Sequence, residues 1–127
     1  MLNGIPDNDL TSGVNYRVIR YADVLLMAAE AHNQLGNDED AVDYLNQVRQ
    51  RVGMPARTST GNDLYEHILK ERRSELSCEG HRFFDLVRTR KASDVITDFQ
   101  TGKHELFPIP QVEIDLAGGN WPQNPGY

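Results

Sequence analysis

The feature that most constrains this chain is a helical spacing of apolar residues that breaks at Gly36 and again at Gly53. The residues before the first break recur every three or four positions and are Val18, Ala22, Leu25 and Ala29. Those between the two breaks repeat the spacing and are Ala41, Leu45, Val48 and Val52. Such intervals place side chains on one helix face, and a glycine commonly ends a helix. The pattern predicts two antiparallel helices joined by a tight turn.

The small residues of this hairpin point to a particular kind of helix pair. Ala29 and Ala41 are flanked by large apolar residues, a rhythm typical of tetratricopeptide repeats, in which small residues allow two helix axes to approach. One such unit leaves an apolar face uncovered and normally stacks on neighbours. No second copy follows at a thirty-four-residue offset. The cover must therefore come from a third helix of this chain or from neighbours outside it.

A third helix is predicted from Asp63 onward. Asp63 and Glu66 have the spacing of a capping box, which satisfies backbone N–H groups at a helix start. The apolar stripe that continues this helix consists of Ile68, Leu69, Leu76, Phe83, Leu86 and Val87. Gly80 interrupts the stripe, so we expect one long helix with a kink or a close helix crossing at that point.

The two ends of the chain differ from the helical centre. Residues 1–16 are polar and are expected to form a flexible lead-in, because they have little apolar surface to bury. Residues 107–110 (FPIP) and the Gly118-Gly119 pair predict an extended tail, with room for a short strand at 104–107. The predicted fold is all-α: a tetratricopeptide-like helical hairpin packed on a long kinked helix, with an extended irregular C-terminal tail.

Charge and composition exclude several classes of protein. The 13 Lys and Arg residues against 19 Asp and Glu residues leave a net charge of −6, which argues against a general nucleic-acid binder. No apolar run reaches the ~20 residues of a membrane helix, and the first residues lack the basic and apolar regions of a signal peptide. The single cysteine, Cys78, excludes an internal disulfide and is expected to be a packed thiol.

Four segments, in order along the chain, resemble motifs of the SusD/RagB family. They are residues 21–31 (YADVLLMAAEA), residues 45–53 (LNQVRQRVG), residues 71–88 (ERRSELSCEGHRFFDLVR), and the closing pair 107–110 (FPIP) with 123–127 (QNPGY). The resemblance covers residues 17–127, which are therefore expected to be a SusD/RagB-like C-terminal domain. Family members are several times longer, so the chain is expected to be a fragment of that architecture, with Tyr127 near the natural terminus.

The resemblance also implies a function. Members of this family are surface-exposed outer-membrane lipoproteins, typical of the Bacteroidetes, that bind glycans or other nutrients. They work with a TonB-dependent outer-membrane transporter in nutrient uptake and are not enzymes. The resemblance implies the same location and partners here, with the lipid anchor and most ligand contacts in a missing N-terminal portion. It implies no cofactor and no nucleic acid.

The charged residues of the third motif allow two interpretations. They are Arg72, Glu75, Glu79, Arg82 and Asp85. In the first, Glu75 and Glu79 are the paired carboxylates of a small glycosidase. In the second, the set is an ion-pair lattice on one helical surface that holds the third helix against the hairpin. We favour the lattice, because arginines at these spacings can occupy the carboxylates and because the resembled family is not catalytic.

The remaining candidates for a site are few. Exposed aromatic rings stack on sugars, so Trp121 is a candidate ligand contact, although a tryptophan beside prolines more often packs a loop. Other ligand contacts are unknown, and no catalytic residue is assigned. His67 and Glu71 lie one helical turn apart, but without an H-E-x-x-H spacing we expect no metal site. The alternative function is a stand-alone tetratricopeptide-like module that binds a protein partner in the hairpin groove.

Overall fold

The computed structural model describes residues 18–127, so the predicted lead-in at 1–16 lies outside the described residues. Within residues 18–127 there are helices and no strands. The helices are α1 (Tyr21–Gln34), α2 (Asp38–Arg51), α3 (Gly61–Glu75), α4 (His81–Arg88), α5 (Ala92–Val95) and α6 (Gln111–Leu116). The all-α prediction is confirmed. The prediction of a short strand at 104–107 is wrong, because residues 101–105 form hydrogen-bonded turns.

The chain divides into two compact units. The first contains the described residues up to Glu75 and therefore holds α1, α2 and α3. The second runs from Leu76 to Tyr127 and holds the three shorter helices. Among residues 18–127 we find no helix with the length and apolar character needed to cross a membrane.

The core of the first unit lies between its three helices. Its completely buried members come from all three and are Leu26, Ala29, Ala41, Leu45, Leu64 and Ile68. Both alanines that were predicted to permit close helix approach are thus fully enclosed. The third helix covers one face of the hairpin, which is the first of the two alternatives that the sequence left open.

The predicted long third helix is interrupted around Gly80. Helix α3 ends at Glu75 and α4 begins at His81, and the intervening turn places Cys78 at φ +66 and Gly80 at φ +84. The thiol expected to be packed is instead exposed, because the turn carries Cys78 off the helical stripe. The start of α3 also differs from the prediction. It begins at Gly61, whose backbone N–H donates to the Asp38 carboxylate at 2.6 Å, rather than at a capping box.

Four helix ends share one hydrogen-bonding arrangement, the Schellman motif, in which the residue after the C-cap takes a left-handed conformation. In α1, α2 and α6 that residue is a glycine: Gly36, Gly53 or Gly118. In α4 it is Arg90, at φ +57. The Arg90 N–H donates to the Val87 carbonyl at 3.0 Å, and the Lys91 N–H donates to the Leu86 carbonyl at 2.9 Å. A non-glycine residue is therefore strained at this one helix end.

Arg90→Gly is expected to stabilise the second unit by about 1 kcal/mol, because glycine adopts this conformation without the steric cost of a Cβ. The single tryptophan, Trp121, lies in this unit, so urea unfolding followed by its fluorescence measures the change. The equivalent residue after α2 is Gly53, where the opposite change, from glycine to a residue with a Cβ, can be made. A Cβ at Gly53 would meet no atom within 4 Å, so Gly53→Ala tests the strain alone and should destabilise. A loss of stability in Arg90→Gly would contradict this account.

Large apolar side chains remain exposed on the outer face of α1 and at its C-cap residue, Leu35. Tyr21 and Leu35 are 72% and 76% exposed, and Val24 and Met27 are 43% and 46% exposed. Exposed apolar area of this extent promotes association. We expect the chain to self-associate or to bind the dye ANS in its folded state, and Tyr21→Glu with Leu35→Glu to reduce both effects. Sedimentation velocity that shows a monomer without ANS fluorescence would contradict the expectation.

Candidate functional site

The charged residues of three sequence motifs meet in the first unit. Asp23 of α1 and Arg72 of α3 form a buried pair, with an Arg72 Nη1 to Asp23 Oδ1 distance of 2.8 Å. Their side chains are only 8% and 6% exposed. This pair joins the first and third helices across 49 positions of sequence.

Glu75, at the end of α3, accepts hydrogen bonds from two arginines. Arg20 Nη1 donates to its carboxylate at 2.9 Å, and Arg20 Nη2 donates to its backbone carbonyl at 2.9 Å. Arg51 Nη2 lies 2.7 Å from both carboxylate oxygens. The Glu75 side chain is 8% exposed, so its carboxylate is shielded from solvent and bonded to two guanidinium groups.

Arg49 of α2 makes the third connection. Its Nη1 donates to Glu71 at 2.6 Å, and its Nε donates to the Pro55 carbonyl at 2.8 Å. The Arg49 side chain is 6% exposed, so both contacts are shielded from water. The residue thereby ties α2 to α3 and to the loop between them. Charge-assisted bonds of this kind are stronger than neutral ones.

The five residues of the predicted lattice do not share one helical surface, because the turn at 76–80 separates them. Arg72 and Glu75 contact the hairpin of the first unit, as described above. Glu79 and Arg82 lie in the second unit and are exposed. Asp85, also in the second unit, is 9% exposed and accepts from Arg88 Nε at 2.9 Å. The premise of a continuous helix from 72 to 85 is therefore corrected.

Sequence reasoning missed the partners of this set, although several of them stand in the quoted motifs. They are Arg20, Asp23, Arg49, Arg51 and Glu71. The spacing within one helix reveals only neighbours on that helix. The hydrogen bonds observed here join residues separated by 22 to 55 positions. Only the concentration of arginine and carboxylate residues in successive motifs could have indicated them.

His67 and Glu71, the two residues considered as metal ligands, each contact a different partner. His67 Nδ1 lies 2.8 Å from the Ser59 hydroxyl, whereas Glu71 pairs with Arg49. Across residues 18–127 no three His, Cys, Asp or Glu side chains are arranged to hold a metal ion.

Side chains of residues 123–127 (QNPGY) form hydrogen bonds with the backbone of residues 106–109, which includes part of the FPIP segment. Gln123 Oε1 accepts from the Ile109 N–H at 2.8 Å, and Gln123 Nε2 donates to the Ile109 carbonyl at 2.8 Å. Asn124 Nδ2 donates to the Phe107 carbonyl at 2.7 Å, and the Tyr127 hydroxyl donates to the Leu106 carbonyl at 3.1 Å. Side-chain amides thus satisfy backbone groups that a strand partner would otherwise serve.

Gln123→Ala is expected to loosen the contact between the tail and residue 109. The N–H and C=O groups of Ile109 both lose the hydrogen-bond partners that the Gln123 amide supplies. The loss of two hydrogen bonds should raise the amide exchange rate of Ile109 by about tenfold or more. Hydrogen exchange measured by NMR tests this. Gln100→Ala, an exposed glutamine of the same unit, serves as the control. Unchanged exchange at Ile109 in Gln123→Ala would contradict the assignment.

Trp121 precedes residues 123–127 and is 54% exposed. The structure therefore leaves much of this indole open to solvent, which the interpretation of a tightly packed tryptophan did not anticipate. Its role as a ligand contact remains a prediction.

The architecture defines a helical scaffold in which a tetratricopeptide-like hairpin is braced by buried ion pairs. A sequence profile of the SusD family matches residues 2–105. The chain belongs to the SusD family, which the four motifs had indicated.

Individual relatives agree with this assignment. A SusD-like protein of Formosa agariphila is 32% identical, in an alignment that covers 95% of this chain and 28% of the relative. A solved SusD homologue from Bacteroides thetaiotaomicron has a TM-score of 0.77 at 34% identity over 85% of this chain. Surface glycan-binding protein A from Bacteroides thetaiotaomicron has a TM-score of 0.74 at 36% identity over 87% of this chain.

The chain spans about a quarter of the length of these relatives. The covered shares are 28% of the Formosa protein, 25% of the solved SusD homologue and 24% of surface glycan-binding protein A. The ligands of these whole proteins can therefore be assigned to this chain only as a proposal.

Proposed function

We propose that this chain is the C-terminal portion of a SusD-like, surface-exposed outer-membrane lipoprotein that binds a glycan or another nutrient. The observation that carries the proposal is the similarity to surface glycan-binding protein A over 87% of this chain, at 36% identity. The match of the SusD family to residues 2–105 supports it. A TonB-dependent transporter is the proposed partner in uptake, and residues 17–127 are the proposed family domain.

The contribution of this portion is structural rather than catalytic. Its motif arginines and carboxylates pair with one another across helices, and Glu75, the residue that a glycosidase would need, is held by Arg20 and Arg51. In this proposal the cross-helix ion pairs stabilise the scaffold on which ligand contacts are carried. A reducing-sugar assay should detect no glycan hydrolysis, with or without Glu75→Gln. Hydrolysis that Glu75→Gln abolishes would overturn the non-catalytic assignment.

The gene surrounding the codon for Met1 supplies the first test. We expect an open frame that extends upstream to a signal peptide ending in a lipid-modified cysteine, with a transporter gene beside it. A stop codon directly upstream, with no transporter gene nearby, would instead favour the stand-alone protein-interaction module.

The full product of that frame supplies the second test. We expect it to be retarded by its polysaccharide in affinity electrophoresis and to co-purify with a transporter after detergent extraction of outer membranes. Failure of the product to bind any member of a polysaccharide panel would overturn glycan binding. Failure to co-purify would overturn the transporter partnership alone.

A further inference from the structure

A surface cleft of about 470 Å³ lies wholly within the second unit. Its apolar lining residues are Val87, Ala92 and Phe99, which are buried or half-buried and are called the floor below. Its rim carries one cationic, one anionic and two hydroxyl side chains, which are Arg90, Glu105, Ser93 and Thr101. An apolar surface with a few convergent polar groups is the usual composition of a small-molecule site.

Arg90 reaches this rim from a strained backbone position. It occupies the left-handed residue of the α4 Schellman motif, at φ +57, where the corresponding residues of α1, α2 and α6 are glycines. Strained residues cluster at functional sites, because a folded structure retains the strain where the side chain has a use. The arginine is unnecessary for the turn itself, which glycine would form with less strain.

The part of the cleft lining that contains Phe99 and Glu105 is held in place by local contacts. His104 Nδ1 accepts from the Gln100 N–H at 3.0 Å, and Glu105 Oε2 accepts from the Gly102 N–H at 2.8 Å. The ring of Phe99 meets that of His104 edge to face, with centroids 5.6 Å apart. These contacts preorganise the wall and so lower the entropic cost of binding a ligand.

We propose that this cleft binds a hexuronate residue of a glycan. The apolar face of a sugar ring fits the floor at Phe99, and its hydroxyl groups can donate to Glu105 and exchange hydrogen bonds with the two hydroxyl side chains. The C6 carboxylate matches the guanidinium of Arg90, which can donate two parallel hydrogen bonds to it. This inference rests on the proposed glycan-binding function and adds a ligand class and a subsite to it.

Galacturonate and galactose form a matched pair of probes, because they differ only at C6, which is a carboxylate carbon in the first and a hydroxymethyl carbon in the second. We would titrate each into the ¹⁵N-labelled 127-residue chain and follow amide chemical shifts by NMR. Galacturonate should shift the amides of Phe99, Thr101 and Glu105 saturably. Galactose should bind at least about tenfold more weakly, because it lacks the charge-assisted bonds. Acetate tests whether a carboxylate alone is sufficient.

Arg90→Gly separates binding from folding. It should weaken galacturonate binding by about tenfold or more, while the midpoint of urea unfolding rises. Arg73→Ala removes one positive charge from an exposed position on α3 in the first unit and is the matched control. We expect that variant to bind galacturonate as the unaltered chain does.

Three results would overturn the inference: equal binding of galactose and galacturonate, equal binding of acetate, or unchanged affinity in Arg90→Gly. Absence of any saturable shift in the cleft would overturn it as well. None of these outcomes affects the proposed glycan binding, which the full-length product tests separately by affinity electrophoresis. If that product binds a polysaccharide but no amide shift in the cleft is saturable, the proposed function stands. Only this subsite would then be rejected.

Discussion

Arg72→Met is expected to destabilise the first unit by about 3–5 kcal/mol, because it leaves a buried carboxylate without its counter-charge. Asp23 is 6% exposed and cannot regain full hydration once the Arg72 guanidinium is removed. Methionine retains most of the aliphatic stem, so the charge and its hydrogen bonds are the main loss. Urea unfolding followed by far-UV circular dichroism measures the change in the free energy of unfolding.

Two further variants isolate the cause. Arg73→Ala alters an exposed arginine on the same helix and should change stability by no more than about 0.5 kcal/mol. The double variant Asp23→Leu with Arg72→Met removes both charges together and should recover most of the loss, since apolar replacements of buried pairs are well tolerated. If Arg72→Met costs as little as Arg73→Ala, the pair does not brace the helices as described.

The hairpin was predictable because local signals agreed with the final packing. The small and apolar residues around Ala29 and Ala41 recur at helical spacing, and Gly36 and Gly53 take the left-handed conformations that end their helices. Each signal lies within a few residues of the structure that it specifies. Local preference and tertiary packing therefore lead to the same helices.

The interruption after Glu75 was predictable in position but not in form. Gly80 signals a break, and it is indeed left-handed at φ +84. However, Cys78 also takes a positive φ, which its residue type does not indicate. The segment between α3 and α4 thus contains two left-handed residues, and the chain forms two helices there instead of one kinked helix. The predicted continuous surface of charges fails for this reason.

The partners of the charged residues could not be obtained from spacing. Arg20 and Glu75 are 55 positions apart, and their contact exists only after α1 and α3 have packed together. The cleft that Arg90 lines could not be predicted from spacing either, because its lining residues are spread from Val87 to Glu105 without a recognisable motif. The four motifs identified the family, but half of their charged residues pair across helices and hold the scaffold.

That engagement has a consequence for where ligand contacts can lie. A guanidinium already bonded to a buried carboxylate can reach a ligand only by giving up that bond, at a cost in stability. Arg20, Arg49 and Arg51 are held in this way by Glu71 or Glu75. The proposed ligand recognition by this portion would therefore have to use side chains outside the braced set, such as those that line the Arg90 cleft.

Leu26→Ala is the second change with a large expected effect. Leu26 is completely buried at the centre of the three-helix core, so its truncation removes transfer free energy and leaves a cavity. A loss of about 3–5 kcal/mol is typical of such a site. Met27→Ala changes the adjacent residue, which is 46% exposed, and should cost less than about 1 kcal/mol. Urea unfolding of the two variants side by side measures the difference.

The opposite volume change tests whether the core is specifically interlocked. Ala29 is fully buried, so Ala29→Leu should strain the packing and cost about 1–3 kcal/mol. The double variant Leu26→Ala with Ala29→Leu keeps the summed side-chain volume of the core. We expect it to remain less stable than the unaltered chain, because an interior packed to crystal density cannot move the missing volume by one helical turn. Full recovery in the double variant would show instead that total volume, and not the position of the small residue, governs this hairpin.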